Sequence, residues 1–139
     1  MGKQVTEIKQ LYKALHGLVE SMDQSPQVKK AVLDTNLVLG MQYKDPEGLF
    51  IIDASGDEVV AYDGECPADV EPKVTLHLTA DIANRYWQGK TNFMIAMQKG
   101  DIRPVGDLGA ILKLVPVLGP MFKVYTDYLK NNDMTDMVL

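Results

Sequence analysis

The sequence is poor in the residues on which most enzymes and disulfide-rich domains depend. In 139 residues it contains one cysteine, Cys66, and two histidines, His16 and His77. A single cysteine excludes an internal disulfide and favours a cytoplasmic location. Neither histidine has a metal-binding partner at helical spacing, and no histidine close in sequence to Cys66 can serve as its base. We therefore predict no enzyme activity, no catalytic residues, no metal and no cofactor.

Basic residues are also in the minority, with 14 against 19 acidic ones and a net charge of −5. Nucleic-acid binding needs a dense lysine and arginine surface, so no nucleic-acid partner is expected. The acidic side chains are concentrated between residues 45 and 71, where no basic residue occurs. The rest of the chain is mildly basic, which is compatible with a transient contact with an anionic membrane. Solvated acidic loops explain the same distribution.

Long uninterrupted apolar runs are absent as well. The longest apolar stretch, Leu108–Val124, is short for a bilayer and contains Lys113, Pro116 and Pro120. These residues argue against a transmembrane helix. The stretch is apolar on most sides of a helix, so it is either a core helix or the wall of an apolar cavity. With 46% hydrophobic residues, the chain suits one soluble domain, residues 1–139.

Hydrophobic periodicity divides this domain into three parts. Residues 1–35 repeat apolar side chains three and four apart and are predicted as helices. Residues 36–79 alternate every second position and are predicted as a strand meander with antiparallel pairing. Residues 80–139 are predicted as helices with one further short strand, which Pro104 places at a sheet edge or bulge. The order predicts an α+β domain with about five strands covered on one face by helices.

Three segments follow the meander in a characteristic order. VTLHLTADIANRYWQGK joins a strand to a helix that begins near Asp81 and ends at Gly89. A short helix, NFMIAMQKG, comes next, and GDIRPVGDLGAILKL then combines a glycine, a strand, a second glycine, an acid and an aliphatic helix. In this order and spacing, residues from about Asn36 to Leu114 resemble the sterol carrier protein type 2 family.

The resemblance implies both a fold and a function. Members of that family fold as a curved antiparallel sheet covered on one side by helices around an apolar tunnel. They bind or transfer sterols, fatty acids, acyl-CoA and phospholipids without catalysis, which implies a lipid or fatty-acyl ligand here. The chain departs from the family at Pro104, where an aliphatic residue usually faces the interior. It also continues through residues 115–139, which implies a C-terminal lid or a homodimer interface.

We expect the apolar cavity between the inner face of the sheet and the helices that follow it. Ordinary core packing explains the same side chains, because a lipid site is built from core-like residues. An interaction or dimerisation module without a ligand, and an accessory domain of an enzyme acting on a lipid thioester, are the alternative functions. The expected lining residues are Leu39, Met41, Ile51, Leu76, Trp87, Phe93, Met94, Met97, Ile111, Leu112, Val115, Leu118 and Phe122.

Overall fold

A five-stranded sheet organises the computed structural model, which describes residues 4–139. The spatial order of the strands is β3-β2-β1-β4-β5, so β5 with Pro104 is an edge strand as predicted. With helices before and after the strands, the α+β class is confirmed. The strands are β1 (Val38–Lys44), β2 (Gly48–Asp53), β3 (Val60–Asp63), β4 (Val74–Thr79) and β5 (Ile102–Gly106).

The pairing of the central strands corrects the prediction of a purely antiparallel sheet. β1 and β4 run parallel, with Met41 opposite Leu76, whereas the other three neighbouring pairs are antiparallel. The long loop after β3 returns the chain to the start of β1, where the Lys73 amide donates to the Val38 carbonyl over 2.9 Å. Turn lengths predict hairpins between adjacent strands, but they do not indicate which strand the chain rejoins after such a loop.

The helices cover one face of the sheet, which we call the inner face. Strand alternation places Leu39 and Met41 on it and turns Gly40 outward. Ile51 pairs with Gly40 and therefore lies on the outer face, where its side chain and Pro72, from the loop between β3 and β4, both lie beside Gly40. The predicted inward position of Ile51 is wrong because apolar residues fill consecutive positions of β2, and such a run has no alternation to read.

The helices begin where the sequence supplies capping residues. The Thr79 hydroxyl accepts from the Ile82 amide at 3.1 Å, and Asn92 and Asp107 cap the next two helices in the same way. The helices are α1 (Ile8–Ser21), α2 (Pro26–Asp34), α3 (Ala80–Trp87), α4 (Phe93–Lys99), α5 (Leu108–Leu114) and α6 (Gly119–Asn131). Short 3-10 turns cover Met22–Gln24, Val115–Leu118 and Thr135–Met137.

The C-terminal helix α6 belongs to the core of the domain. Met121, Tyr125 and Leu129 are buried, and α6 packs along α1. The two helices approach closely at Gly17, where an added Cβ atom would overlap the ring of Tyr128. Most of the C-terminal extension is thus tied to the N-terminal helix, and only the turn Val115–Leu118 borders the cavity described below.

The segment Leu108–Asn131 forms a helical run of 24 residues, and the mean hydropathy of its most apolar window is 1.4. By length and composition alone such a run is long enough to cross a membrane, although the core helix of a soluble protein meets the same criterion. Only 28% of its most apolar part is buried. The exposed residues of α5 include Leu108 and Leu112, each 40% exposed, together with Lys113.

Candidate functional site

The inner face of the sheet and the helices above it enclose an apolar cavity. Its volume is about 20 Å³, which is room for roughly one water molecule. Among the side chains of residues 4–139 that line it, none carries a charge. The strands contribute Leu39, Met41, Leu76, Leu78 and Ile102, and the helical side contributes Ala83, Tyr86, Trp87, Phe93, Ile111, Val115 and Leu118.

A lipid chain needs a much larger cavity than this one. Binding pockets for small molecules generally measure about 300–1,000 Å³, so the helical side must move outward before a chain can enter. The helices α4 and α5 are each only seven residues long. Gly100, which ends α4, and Gly106, which precedes α5, adopt positive φ angles of 80° and 115°. Because short helices bury few side chains, we infer that α4 and α5 are the elements that move.

Tyr86 places a hydroxyl group on a side chain of the otherwise apolar cavity wall. Its hydroxyl is buried and has no hydrogen-bond partner among the residues that the structure describes. Its ring packs edge-on against Trp87, Phe93 and Phe122, with ring centroids 5.4, 6.0 and 5.5 Å away. Burial raises the pKa of Tyr86 to about 12, so the hydroxyl stays protonated at neutral pH.

The other side of α3 carries a fully paired group of polar side chains. The Asn84 Oδ1 accepts from the Tyr125 hydroxyl at 2.8 Å, and the Asn84 Nδ2 donates to the Met137 carbonyl at 2.8 Å. The Gln88 Nε2 donates to the same carbonyl at 2.8 Å, and its Oε1 accepts from the Leu139 amide at 2.9 Å. We call these five residues the tail network, because they hold the C-terminal segment against α3.

The same helix also holds the other end of the chain. The Asp81 Oδ1 accepts from the backbone amides of Gln4 and Val5 at 3.2 and 2.9 Å. Val5 is completely buried. One side of helix α3 therefore holds both ends of the described chain, and its other side faces the cavity.

Most of the residues expected in the cavity do line it. They are Leu39, Met41, Leu76, Trp87, Phe93, Ile111, Val115 and Leu118. Their part in ligand binding stays a prediction, because burial in this position is also what core packing produces.

The remaining expected residues lie elsewhere. Met94 and Leu112 are 48% and 40% exposed, since α4 buries Phe93 and Ala96 instead and α5 buries Ile111 and Leu114. Met97 and Phe122 are half-buried outside the lining, and Ile51 is on the outer face of the sheet. In helices of only seven residues, apolar side chains occur on more than one face. Spacing alone therefore did not identify the inward one.

Four lining residues were not among those expected: Leu78, Ala83, Tyr86 and Ile102. Leu78 continues the alternation of β4 and Ile102 that of β5, so the strand pattern contained the signal for both. Ala83 lies one helical turn before Trp87. For the unpaired state of the Tyr86 hydroxyl the sequence contains no signal.

The candidate nucleophiles and bases do not meet at this cavity. The Cys66 thiol donates to the Val70 carbonyl at 3.1 Å within its loop. The His16 Nε2 lies 2.6 Å from the Asp63 Oδ2 at the surface. His77 is on the outer face of the sheet, opposite Arg103 in the register of β4 with β5. Within residues 4–139 no three His, Cys, Asp or Glu side chains are grouped so that they could hold a metal ion.

Comparison with known proteins connects this fold to sterol carrier proteins. Neither a scan of protein-family models nor a search of curated proteins finds a match to the sequence. The solved structure of sterol carrier protein domain 2 of Helicoverpa armigera matches with a TM-score of 0.67 and 19% identity, over 82% of this chain and 89% of that one. Sterol carrier protein 2 from Yarrowia lipolytica, in its apo form, matches with a TM-score of 0.61 and 14% identity, over 80% and 88%.

A much longer protein contains a similar region. A double mutant of the sec-alkyl sulfatase PisA1 matches with a TM-score of 0.50 and 14% identity over 58% of this chain. This chain spans only 12% of that enzyme's length. Together with the two sterol carrier structures, whose lengths it nearly covers, these matches show that the chain has the fold of the sterol carrier protein 2 domains.

Proposed function

We propose that this protein is a non-enzymatic, cytoplasmic lipid-binding or lipid-carrier domain. Its ligand would be a sterol, a fatty acid, an acyl-CoA or a phospholipid chain, held between the sheet and helices α3 to α5. The observation that supports the proposal best is the uncharged, apolar cavity at this position of the fold. The fold is shared with proteins named as sterol carriers.

Elementary energetics allow such a site to work without a special polar motif. Burying one methylene group contributes about 0.8 kcal/mol, so a chain of a dozen carbons offers on the order of 10 kcal/mol. Association and the outward movement of the helices cost part of this free energy. Met41 on the cavity floor is unbranched and polarizable, and can adapt its shape to different chains. Micromolar binding of more than one lipid is therefore expected.

The lipid would be loaded at a membrane through the apolar surface of α5. Leu108, Leu112 and Val115 recur four and three residues apart, so they form a stripe that runs from solvent into the cavity wall. Lys113 on the same helical run is exposed and would favour an anionic bilayer, whereas Lys123 is paired with Asp127 at 2.6 Å. Met94 and Ile95 on α4 are exposed as well. We propose a transient contact with a membrane at this surface.

The direct test is to identify what the purified protein binds. The protein is extracted with organic solvent and the extract analysed by mass spectrometry, and displacement of a fluorescent lipid with an uncharged end group is measured with each lipid class. Ala83→Leu adds three carbons to the cavity lining and should abolish displacement. Ala68→Leu makes the same change in the exposed acidic loop and should leave it intact. A clean extract and no displacement by any lipid class would refute the proposal.

The alternative of a homodimerisation module makes a different prediction. Truncation at residue 120 cannot test it, because Met121, Tyr125 and Leu129 are core residues and their loss would unfold the monomer. Leu112→Ser leaves the core intact and removes an exposed apolar side chain instead. A dimer closed by α5 should dissociate in sedimentation experiments with this variant, whereas a monomeric carrier should show no change.

The remaining alternative is an accessory domain of an enzyme that acts on a lipid thioester. A region with a similar fold also occurs within a longer enzyme, the sec-alkyl sulfatase. Hydrolysis of acyl-CoA by the isolated protein would indicate that it takes a catalytic part in lipid thioester hydrolysis. In that case the activity should disappear with Cys66→Ala or His77→Ala. Since neither side chain lines the cavity, we expect no hydrolysis.

A further inference from the structure

We propose that the Tyr86 hydroxyl is the recognition group for a single polar oxygen of the ligand, and that it selects neutral lipids over lipids with a free carboxylate. Alcohols, ketones and esters are the favoured ligand classes. This inference rests on the proposed lipid-binding function and narrows its ligand.

The first step in the argument is that a buried hydroxyl without a partner is rare. Leaving such a group unpaired destabilises a protein, so native structures seldom contain one. Tyr86 is only 9% exposed, and its hydroxyl has no partner within residues 4–139. Among the buried side-chain polar atoms of residues 4–139, this hydroxyl alone has no hydrogen-bond partner. The side-chain amides of the neighbouring Asn84 and Gln88 are fully paired.

Packing does not explain the hydroxyl. The edge-on contacts of Tyr86 with Trp87, Phe93 and Phe122 involve only its ring. A phenylalanine would make the same contacts without burying a polar atom. The hydroxyl lies on a residue that lines the cavity, and a ligand oxygen there would supply the missing hydrogen bond.

The charge of the surroundings then selects the ligand class. Of the described side chains that line the cavity, none is basic, so no counter-ion is available for a carboxylate. An ionised carboxylate loses its hydration in such a site without compensation. A neutral oxygen loses far less and can accept the hydrogen bond that the protonated tyrosine donates.

The test uses four lipids with the same chain length and different end groups: dodecane, dodecanol, methyl dodecanoate and dodecanoate. Binding to the full-length protein is measured by displacement of a fluorescent probe at neutral pH. The wild type should bind the alcohol and the ester more tightly than the hydrocarbon and the carboxylate. Tyr86→Phe should weaken the alcohol and the ester by about tenfold and leave the hydrocarbon unchanged.

A second readout separates recognition from a structural role. Tyr86→Phe should not lower the thermal stability of the ligand-free protein, because no protein hydrogen bond is lost. Tyr62→Phe, on the outer face of β3, is the matched control and should leave all four affinities unchanged.

The outcomes distinguish the two proposals. If the wild type binds none of the four lipids, the proposed function fails and this inference fails with it. If the wild type binds them but Tyr86→Phe has no selective effect, or if the carboxylate binds most tightly, only the inference about Tyr86 is overturned.

Discussion

The two sides of helix α3 bury polar groups in opposite ways. On the side of α3 that faces the chain termini, the Asn84 side chain is buried. Both of its polar atoms have partners at hydrogen-bond distance within the tail network. On the side facing the sheet, the Tyr86 hydroxyl is equally buried and is left without a partner among the described residues. A single helix of eight residues thus has hydrogen-bonded buried polar groups on one side and a buried hydroxyl without a hydrogen-bond partner on the other.

The two sides of α3 also differ in how closely the surrounding elements are packed. The terminal side is closely packed, with α1 and α6 in contact at Gly17 and both ends of the described chain attached to α3. The cavity side is covered by two short helices that expose apolar residues to solvent. Local opening is easiest where few buried contacts hold an element. We infer that the terminal side supplies the stability that allows the cavity side to open.

The largest expected effect is alkaline destabilisation, which acts on both sides of α3. Burial raises the pKa of Tyr86 to about 12 and that of Tyr43 and Tyr125 as well, against about 10 in the unfolded chain. The folded state therefore retains protons that the unfolded state releases. For Tyr86 this stabilisation is on the order of 3 kcal/mol, is complete below about pH 10 and is lost as the pH rises through about 12.

Denaturant unfolding at neutral pH and at about pH 12 measures this loss. Tyr86→Phe should remove its own share of the pH dependence and leave the share of the other two tyrosines. A free energy of unfolding that stays constant across this window would contradict the burial of all three rings.

Removal of the central amide of the tail network should have the next largest effect. Asn84→Ala leaves the buried Tyr125 hydroxyl without its acceptor and takes one donor from the Met137 carbonyl. We expect a loss of about 3 kcal/mol in the free energy of unfolding. The matched change Asn92→Ala removes only an exposed helix cap and should cost about 1 kcal/mol. Equal losses for the two variants would mean that the network adds nothing beyond a cap.

A pair of tyrosine substitutions gives the sharpest version of the comparison. Tyr125→Phe removes a hydrogen bond of 2.8 Å to Asn84 and should destabilise the protein by about 1 kcal/mol. Tyr86→Phe removes an unpaired hydroxyl and should be neutral or stabilising by up to about 1 kcal/mol. Thermal or chemical denaturation of the ligand-free proteins measures both. If the two substitutions have effects of the same sign and size, the two sides of α3 do not differ.

The smallest effect on stability is expected at the exposed surface of the cavity side. Leu112→Ser and Val60→Ser each replace an apolar side chain that is 40% exposed, the first on α5 and the second on edge strand β3. Both should change the free energy of unfolding by less than about 0.5 kcal/mol. Only Leu112→Ser should weaken sedimentation of the protein with anionic vesicles. Equal vesicle binding by both variants would remove α5 from the membrane contact.

Local patterns in the sequence were sufficient for most of the secondary structure. Pro26 begins α2, Asn92 caps α4, and the alternation of Val74, Leu76 and Leu78 defines β4 and its inner face. Pro104 restricted β5 to a sheet edge or a bulge, and β5 is an edge strand. These features depend on backbone propensities and on side chains a few residues apart, which are visible in sequence.

The parts of the site that were not predicted depend on contacts between distant residues. Ile51 faces outward because the register of β2 with β1 pairs it with Gly40. In the sequence, Asn84 and Gln88 have the character of ordinary surface residues. They are buried because Met137 and Leu139, about fifty positions later, pack against them and hydrogen-bond to them. Nothing within a few residues of either pair indicates these partners.

The sequence by itself determined the α+β class, the order of the helices and strands, and an apolar composition suited to a core or a lipid site. Only the tertiary structure decided that β1 and β4 are parallel, and that α6 is a core helix packed on α1. It also decided that Tyr86 leaves a hydroxyl unpaired beside the cavity. The physical reason is that periodicity and capping act over a few residues, whereas register, burial and hydrogen-bond satisfaction are set when distant segments pack together.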